Sequence, residues 1–144
     1  EDGPAPGVDE GPPGGQEDGP GAVIERLRVS AAGLAGARYT AIPPLDVLGP
    51  RRARLVAALG SGAGAGARYV PPTEHGALLV ADGRVEVCLQ TGGGPWDFAA
   101  LSVIVEEAGG RFSDLAGHHD IYGGGPVVFS NGVAHRAALE ALIS

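Results

Sequence analysis

The 144-residue sequence has no lysine, one cysteine, one tryptophan and an aromatic content of only 5%. Without lysine, the chain has neither a Schiff-base amine nor the lysine of a phosphate-binding P-loop. A single thiol, Cys88, excludes an intramolecular disulfide and gives no basis for a cysteine zinc site, so its default role is structural. No run approaches the ~18 consecutive apolar residues that a membrane helix requires, and no basic-then-apolar leader opens the chain. The expectation is a cytoplasmic protein without membrane contact. The first residue is Glu1 and not Met, which points to a processed protein or to a piece of a longer one.

Glycine and proline are abundant instead, at 26 and 12 residues, beside a hydrophobic fraction of 44%. They are unevenly placed. Residues 1–20 hold five prolines, six glycines, six acids and no base, and so carry most of the formal net charge of −7. Residues 1–22 therefore read as a flexible acidic tail or long surface loop, with too little apolar surface to offset the entropy of ordering. A lure for a basic partner is the functional alternative. The remainder, residues 23–144, sets ten arginines against eleven acids. That balance, with few aromatics, leaves no electrostatic footprint for nucleic acid.

In the body, Leu27-Arg28-Val29-Ser30 alternates apolar and polar and predicts a short strand, with a second over 37–41 ended by Pro43-Pro44. Residues 50–59 predict a helix with Pro50 at its start and Gly60 beyond its end. Arg51, Arg52 and Arg54 lie in its first turns, where the dipole disfavours cations. They form either a solvated basic face or a contact to something outside the helix. The run 60–66 superficially matches a dinucleotide-binding glycine loop. Phosphate cradling needs a strand before such a loop and a helix after it, and here the order is reversed, so it reads as a connector to a strand at 67–70.

Residues 76–81 predict a short apolar helix, and Asp82-Gly83 a turn. Residues 84–90 alternate as a strand with Val85, Val87 and Leu89 facing the core. From Pro95 onward Ala100, Leu101, Ile104, Val105 and Ala108 recur at helical spacing, and Gly109-Gly110 caps the end. Residues 111–114 and 127–130 read as strands. Asn131 caps a closing helix with Ala138 and Leu142 inward and His135 on its surface. His118-His119 falls in a polar loop, where adjacent residues do not easily share a metal. Strands alternating with helices predict an α/β layered domain, an α-β-α sandwich with a mixed sheet flanked by helices.

Asp97 stands at the entrance of the most apolar helix, directly after Trp96. It suits an ordinary N-cap, whose carboxylate accepts free N–H groups. It also suits a hard cation such as Mg²⁺, which takes one or two carboxylates, water and substrate phosphate, but one Asp does not make a site.

Trp96-Asp97-x-Ala99-Ala100, followed by Ile104-Val105-x-Glu107-Ala108-Gly109-Gly110, resembles the C-terminal signature of the inositol monophosphatase family. These are Mg²⁺-dependent phosphatases that include histidinol-phosphate phosphatases. Leu27-Arg28-Val29-Ser30, residues 78–83, and Ser130-Asn131-Gly132 with His135 and Leu139 are similar to family elements in the same order. The resemblance implies the C-terminal half of such an enzyme, with Asp97 as a metal ligand, Mg²⁺ as cofactor and a small phosphorylated metabolite as substrate. The family's other metal ligands lie in a Gly-Glu-Glu and an Asp-Pro-x-Asp-Gly-Thr segment, and neither occurs here. The chain alone should therefore hold no catalytic residue set. The sequence leaves the oligomeric state open; the resemblance implies a homodimer as one option.

The resemblance places Gln90 where inositol phosphatases carry a Glu that contacts a substrate hydroxyl, a neutral group in place of a charge. After Arg68, where the family usually has small residues or Gly-Asp, the run is Pro71-Pro72-Thr73-Glu74-His75. Either Arg68, Glu74 and His75 supply new substrate contacts or the pocket has degenerated. The competing expectation is an inactive phosphatase-like interaction or regulatory protein. A third is a half-domain that exposes a large apolar face.

Overall fold

A computed structural model describes residues 26–44, 47, 49–50, 54, 57–59 and 67–143. The tail assigned to 1–22, most of the helix expected over 50–59 and the glycine run 60–66 lie outside the described residues; within the expected helix, positions 50, 54 and 57–59 are helical.

The strands are β1 (Arg38–Ile42), β2 (Arg68–Tyr69), β3 (Val87–Gln90), β4 (Arg111–Asp114) and β5 (Val127–Ser130); the helices are α1 (Gly76–Ala81), α2 (Pro95–Glu107) and α3 (His135–Ile143). They build a five-stranded mixed sheet in the order β2-β1-β3-β5-β4. β2, β1 and β3 run parallel, with Tyr39 opposite Val87 and Ile42 opposite Gln90. β5 lies antiparallel to both β3 and β4.

Every residue of β3 and β5 is buried, as central strands covered on both faces require. Alternation then sorts their side chains into two cores. Val87, Leu89 and Val128 pack with Tyr39, Ala41 and the α3 residues Ala138 and Leu142. Cys88, Val127 and Phe129 pack with Phe112, the α1 residues Leu79 and Val80, and the α2 residues Phe98 and Val105. The result is the three-layer α/β arrangement expected from the sequence, with α1 and α2 on one face of the sheet and α3 on the other.

Pro95 opens α2 after an extended Gly94, where a missing N–H matters least. The helix stops at Gly109, whose φ of +97° favours glycine, while Gly109 N and Gly110 N donate to the carbonyls of Glu106 and Val105 at 3.0 and 2.8 Å.

Several local expectations need correction. Residues 27–30 form no strand, because Val29 N donates to Ala108 O at the end of α2 and no ladder forms. Val85 packs in the core opposite to that of Val87 and Leu89, since the strand begins only at Val87 and its alternation does not extend back to 85. Of the stripe expected along α2, Leu101, Ile104, Val105 and Ala108 pack into the core beside Phe98, and Ala100 is exposed. His135 is fully buried, held between two serines as described below.

One glycine is dictated by close approach. A Cβ on Gly76 would lie 2.5 Å from Cys88 Sγ and 2.7 Å from Thr40 Cγ2, so only glycine lets α1 start directly over β1 and β3.

Candidate functional site

Parallel strands direct their carboxyl ends toward one side of the sheet, and open α/β sheets bind ligands outside those ends. Here β2 leads through Pro71-Pro72 to the start of α1, and β3 leads through residues 91–94 to the start of α2. The first turns of both helices therefore gather beside the ends of β1 and β3.

Asp97 lies in the first turn of α2 as its third residue, not at the N-cap position, which Gly94 occupies. Its carboxylate is exposed and, among the described residues, accepts only a long hydrogen bond, 3.5 Å, from Gly94 N–H. The loop before it is tight: a Cβ on Gly93 would meet Gln90 Nε2 at 2.9 Å, and one on Gly94 would meet the Trp96 ring at 2.6 Å.

Gln90 ends β3 on the face covered by α1 and α2 and is 5% exposed. Its Nε2 donates to Gly92 O at 3.0 Å, while its Oε1 has no partner among the described residues. A buried carbonyl without a donor loses roughly 1–3 kcal/mol. Such an atom beside a candidate site is an acceptor awaiting a donor. Thr40 Oγ1, buried on the same face in β1, is likewise unpartnered among the described residues; the strand pattern carries no signal for it.

His75 caps α1, its Nδ1 accepting from Ala77 N at 3.1 Å. The neutral ring therefore carries its proton on Nε2. Burial lowers the His75 pKa, and the charge of Asp97 opposes that shift, so the two side chains lie within electrostatic reach.

The structure thus brings Asp97, Gln90 and His75 to one end of the sheet. It does not bring the other two candidates there. Arg68 is exposed and stands opposite Arg38, at the far end of β1 from Ile42 and Gln90. Glu74 is tied to Arg84 at 2.7 Å, and Arg84 also pairs with Asp82 at 2.8 Å.

An Asp oxygen is the hard ligand that Mg²⁺ takes, and Asp97 is free to serve as one. Yet among the described residues no group of three His, Cys, Asp or Glu could hold a metal ion. The residues present fit one ligand of a magnesium site in type, and not a complete site in number.

The model of the inositol monophosphatase family matches residues 66–144, more than half of the chain, with His75, Gln90 and Asp97 inside the match. The chain belongs to the inositol monophosphatase family. Among similar proteins, the histidinol-phosphatase of Chlorobaculum parvum is 41% identical over 68 residues, 47% of this chain and 26% of that protein. An inositol monophosphatase (IMPase) of Thermotoga maritima superposes with a TM-score of 0.65 at 25% identity, over 83% of this chain and 46% of that one. An IMPase/NADP phosphatase crystallised with Mg²⁺ and phosphate shares the fold, with a TM-score of 0.65 at 23% identity, over 83% of this chain and 44% of that one. The chain spans about a quarter of the Chlorobaculum protein and less than half of either solved structure. No described helix of this family member is long and apolar enough to cross a membrane.

Proposed function

We propose that this chain supplies the C-terminal half of a Mg²⁺-dependent phosphomonoesterase acting on a small phosphorylated metabolite. The observation that carries the reading is Asp97. It is an exposed carboxylate with one weak backbone contact, fixed on a rigid helix where the parallel strands end. A bound Mg²⁺ supplies Lewis-acid charge at a phosphoryl oxygen and at the attacking water. This chain's own contribution is the Asp97 ligand, with Gln90 Oε1 accepting from a substrate hydroxyl and His75 Nε2–H donating to an oxygen of the ester. The remaining carboxylates belong to a second half, so the chain alone releases no phosphate.

The test joins this chain to the part of the Thermotoga IMPase that it does not match. Phosphate release from inositol phosphate and histidinol phosphate is then followed with Mg²⁺ and with a chelator. Loss of an outer-shell partner of a metal commonly lowers affinity or activity 10–100-fold, so Asp97→Asn should lower the rate by at least about 100-fold. Undiminished activity in that variant refutes the assignment.

A non-catalytic reading has two observations behind it: Glu74 is paired with Arg84, and Pro71-Pro72 offers no N–H to a ligand. A joined protein that folds, binds inositol phosphate and never hydrolyses it would favour that reading.

A further inference from the structure

Between β2 and α1 the chain runs Val70-Pro71-Pro72-Thr73-Glu74-His75, and little holds it in place. Val70 N donates to Tyr39 O at 2.7 Å. Among the described residues, backbone bonding resumes only at His75 O, which accepts from Leu78 N and Leu79 N at 2.9 and 3.2 Å. Pro71 and Pro72 have no N–H to give. Among the described residues, the one hydrogen bond made by positions 71–74 is that of Glu74 Oε1, which accepts from Arg84 Nη2 at 2.7 Å. Arg84 Nε in turn donates to Asp82 Oδ2 at 2.8 Å. Asp82 is the C-cap of α1, and Glu74 immediately precedes its N-cap, His75. One guanidinium therefore ties the two ends of a six-residue helix together.

We infer that Arg84 is a positioning residue for His75. Through Glu74 it fixes how the chain enters α1, and with that the direction of the imidazole. His75 has a non-helical backbone, with φ −58° and ψ 130°, so the segment before it sets its direction. Its Nδ1 is already held by Ala77 N at 3.1 Å, which leaves Nε2–H to point as the incoming loop dictates. The Glu74 and Arg84 side chains are 41% and 54% exposed, and exposed ion pairs contribute little to global stability. What this one supplies is direction, because a guanidinium offers its N–H groups in a rigid fork and here meets two carboxylates at once. Glu74 then serves the site without touching a substrate. That His75 faces a substrate rests on the proposed function; the Arg84 strut does not.

NMR of the 144-residue chain, slightly above neutral pH, reads the strut directly. The Ala77 amide reports the cap, since it donates to His75 Nδ1, and the imidazole nitrogen shifts report the tautomer, expected to be Nε2–H. Glu74→Ala should speed Ala77 amide exchange about 2–5-fold, the size a surface ion pair supplies, and should mix the two tautomers. Arg84→Met should do the same, and the double variant should add nothing to either. The amides of β3 report global opening and should exchange as in the parent. Ala77 exchange and a tautomer that match the parent in both variants overturn the proposal, as does an acceleration shared equally by β3. In the joined enzyme, Arg84→Met should lower kcat/KM about 2–5-fold. It should do nothing in a His75→Asn background, where Asn keeps the cap and removes the Nε2 donor. Equal losses in both backgrounds overturn the route through His75. A joined enzyme without any activity sinks the proposed function instead, and exchange and tautomer still decide the strut.

Discussion

His135 Nε2 lies 2.7 Å from Ser113 Oγ, and His135 Nδ1 lies 2.7 Å from Ser130 Oγ, all three residues being buried. Ser113 Oγ also donates to Asp114 O, and Ser130 Oγ accepts from Gly132 N. The pattern has one consistent proton assignment: Nε2–H donates to Ser113, and Nδ1 accepts from Ser130. The neutral ring therefore links β4, β5 and the start of α3.

Burial, helped by the nearby charge of Arg111, lowers the His135 pKa to about 4 from an ordinary value of 6.5. Between those values the unfolded chain binds a proton that the native protein refuses, so stability rises with pH across the window. The contribution is complete above pH ~6.5 and is lost as pH falls toward 4, amounting to about 3 kcal/mol for a shift of this size. Urea midpoints measured from pH 7 to pH 4 should show that fall. His135→Leu should flatten this part of the profile while lowering stability at pH 7 by about 1–3 kcal/mol, because a serine hydroxyl loses a partner. A wild-type profile flat between pH 6.5 and 4 would disprove the neutral-ring assignment.

Glu86 and Arg38 form a buried pair with unequal exposure. Glu86 is 1% exposed and accepts from Arg38 N, Nε and Nη2 and from Ser30 Oγ, at 2.6–3.2 Å. Burial alone would raise the Glu86 pKa, but the Arg38 and Ser30 hydrogen bonds outweigh it and hold the carboxyl below its usual range. The Arg38 side chain, 36% exposed, keeps water. Removing the arginine strands a buried charge, whereas removing the glutamate leaves a guanidinium that solvent can reach. Arg38→Met should therefore destabilise by about 3–5 kcal/mol and Glu86→Gln by clearly less, in denaturant unfolding at pH 7. Equal losses would contradict the asymmetry.

Gly76→Ala tests the contact of α1 with the sheet. A Cβ at that position falls on Cys88 Sγ and Thr40 Cγ2, both within fully buried residues, so neither can step aside freely. Overpacking of this kind costs typically ~1–3 kcal/mol, against a gain of ~0.4–1 from the stiffer unfolded chain. The net should be a loss of up to ~2.5 kcal/mol, read from the thermal midpoint. The double variant Gly76→Ala with Cys88→Ala should recover part of it.

Much of the fold was legible because its signals are local. Pro95 and Gly109-Gly110 bracket α2, the apolar run Gly76–Ala81 is α1, and the alternation at 87–90 is β3. What escaped depends on contacts distant in sequence. Ser30, Arg38 and Glu86 converge over 48–56 positions, which no window reveals. His135 looked like a surface residue because the serines that bury it sit 22 and 5 residues earlier. Segment 27–30 alternates like a strand, yet its backbone partner is the end of a helix. At the site, Asp97 was singled out by the motif that resembles the family's and Gln90 by standing where that pattern has a Glu; the structure puts both at the same end of the sheet. Arg68 and Glu74 were drawn in from the run that departs from the family's pattern; the register of β2 puts Arg68 at the opposite end of β1 from Ile42, and Glu74 is paired with Arg84.

Gln90 offers the sharpest separation of folding from function. Its Oε1 is buried without a partner among the described residues, so in the free protein it contributes desolvation loss and no bond. Among the described residues its side chain bonds only Gly92 O, which belongs to a partly exposed residue and can turn to water. Gln90→Leu removes the orphaned carbonyl and keeps comparable volume. Replacing an unpaired buried polar group by an apolar one is often neutral or stabilising, so the unfolding free energy should stay within ~1 kcal/mol of the parent or rise. If Oε1 takes a substrate hydroxyl as proposed, the same change should lower kcat/KM of the joined enzyme by about 10-fold or more, mainly through KM, since a bond made in ground and transition states alike is lost. A Gln90→Leu enzyme with unaltered kinetics on both esters would place the substrate away from β3.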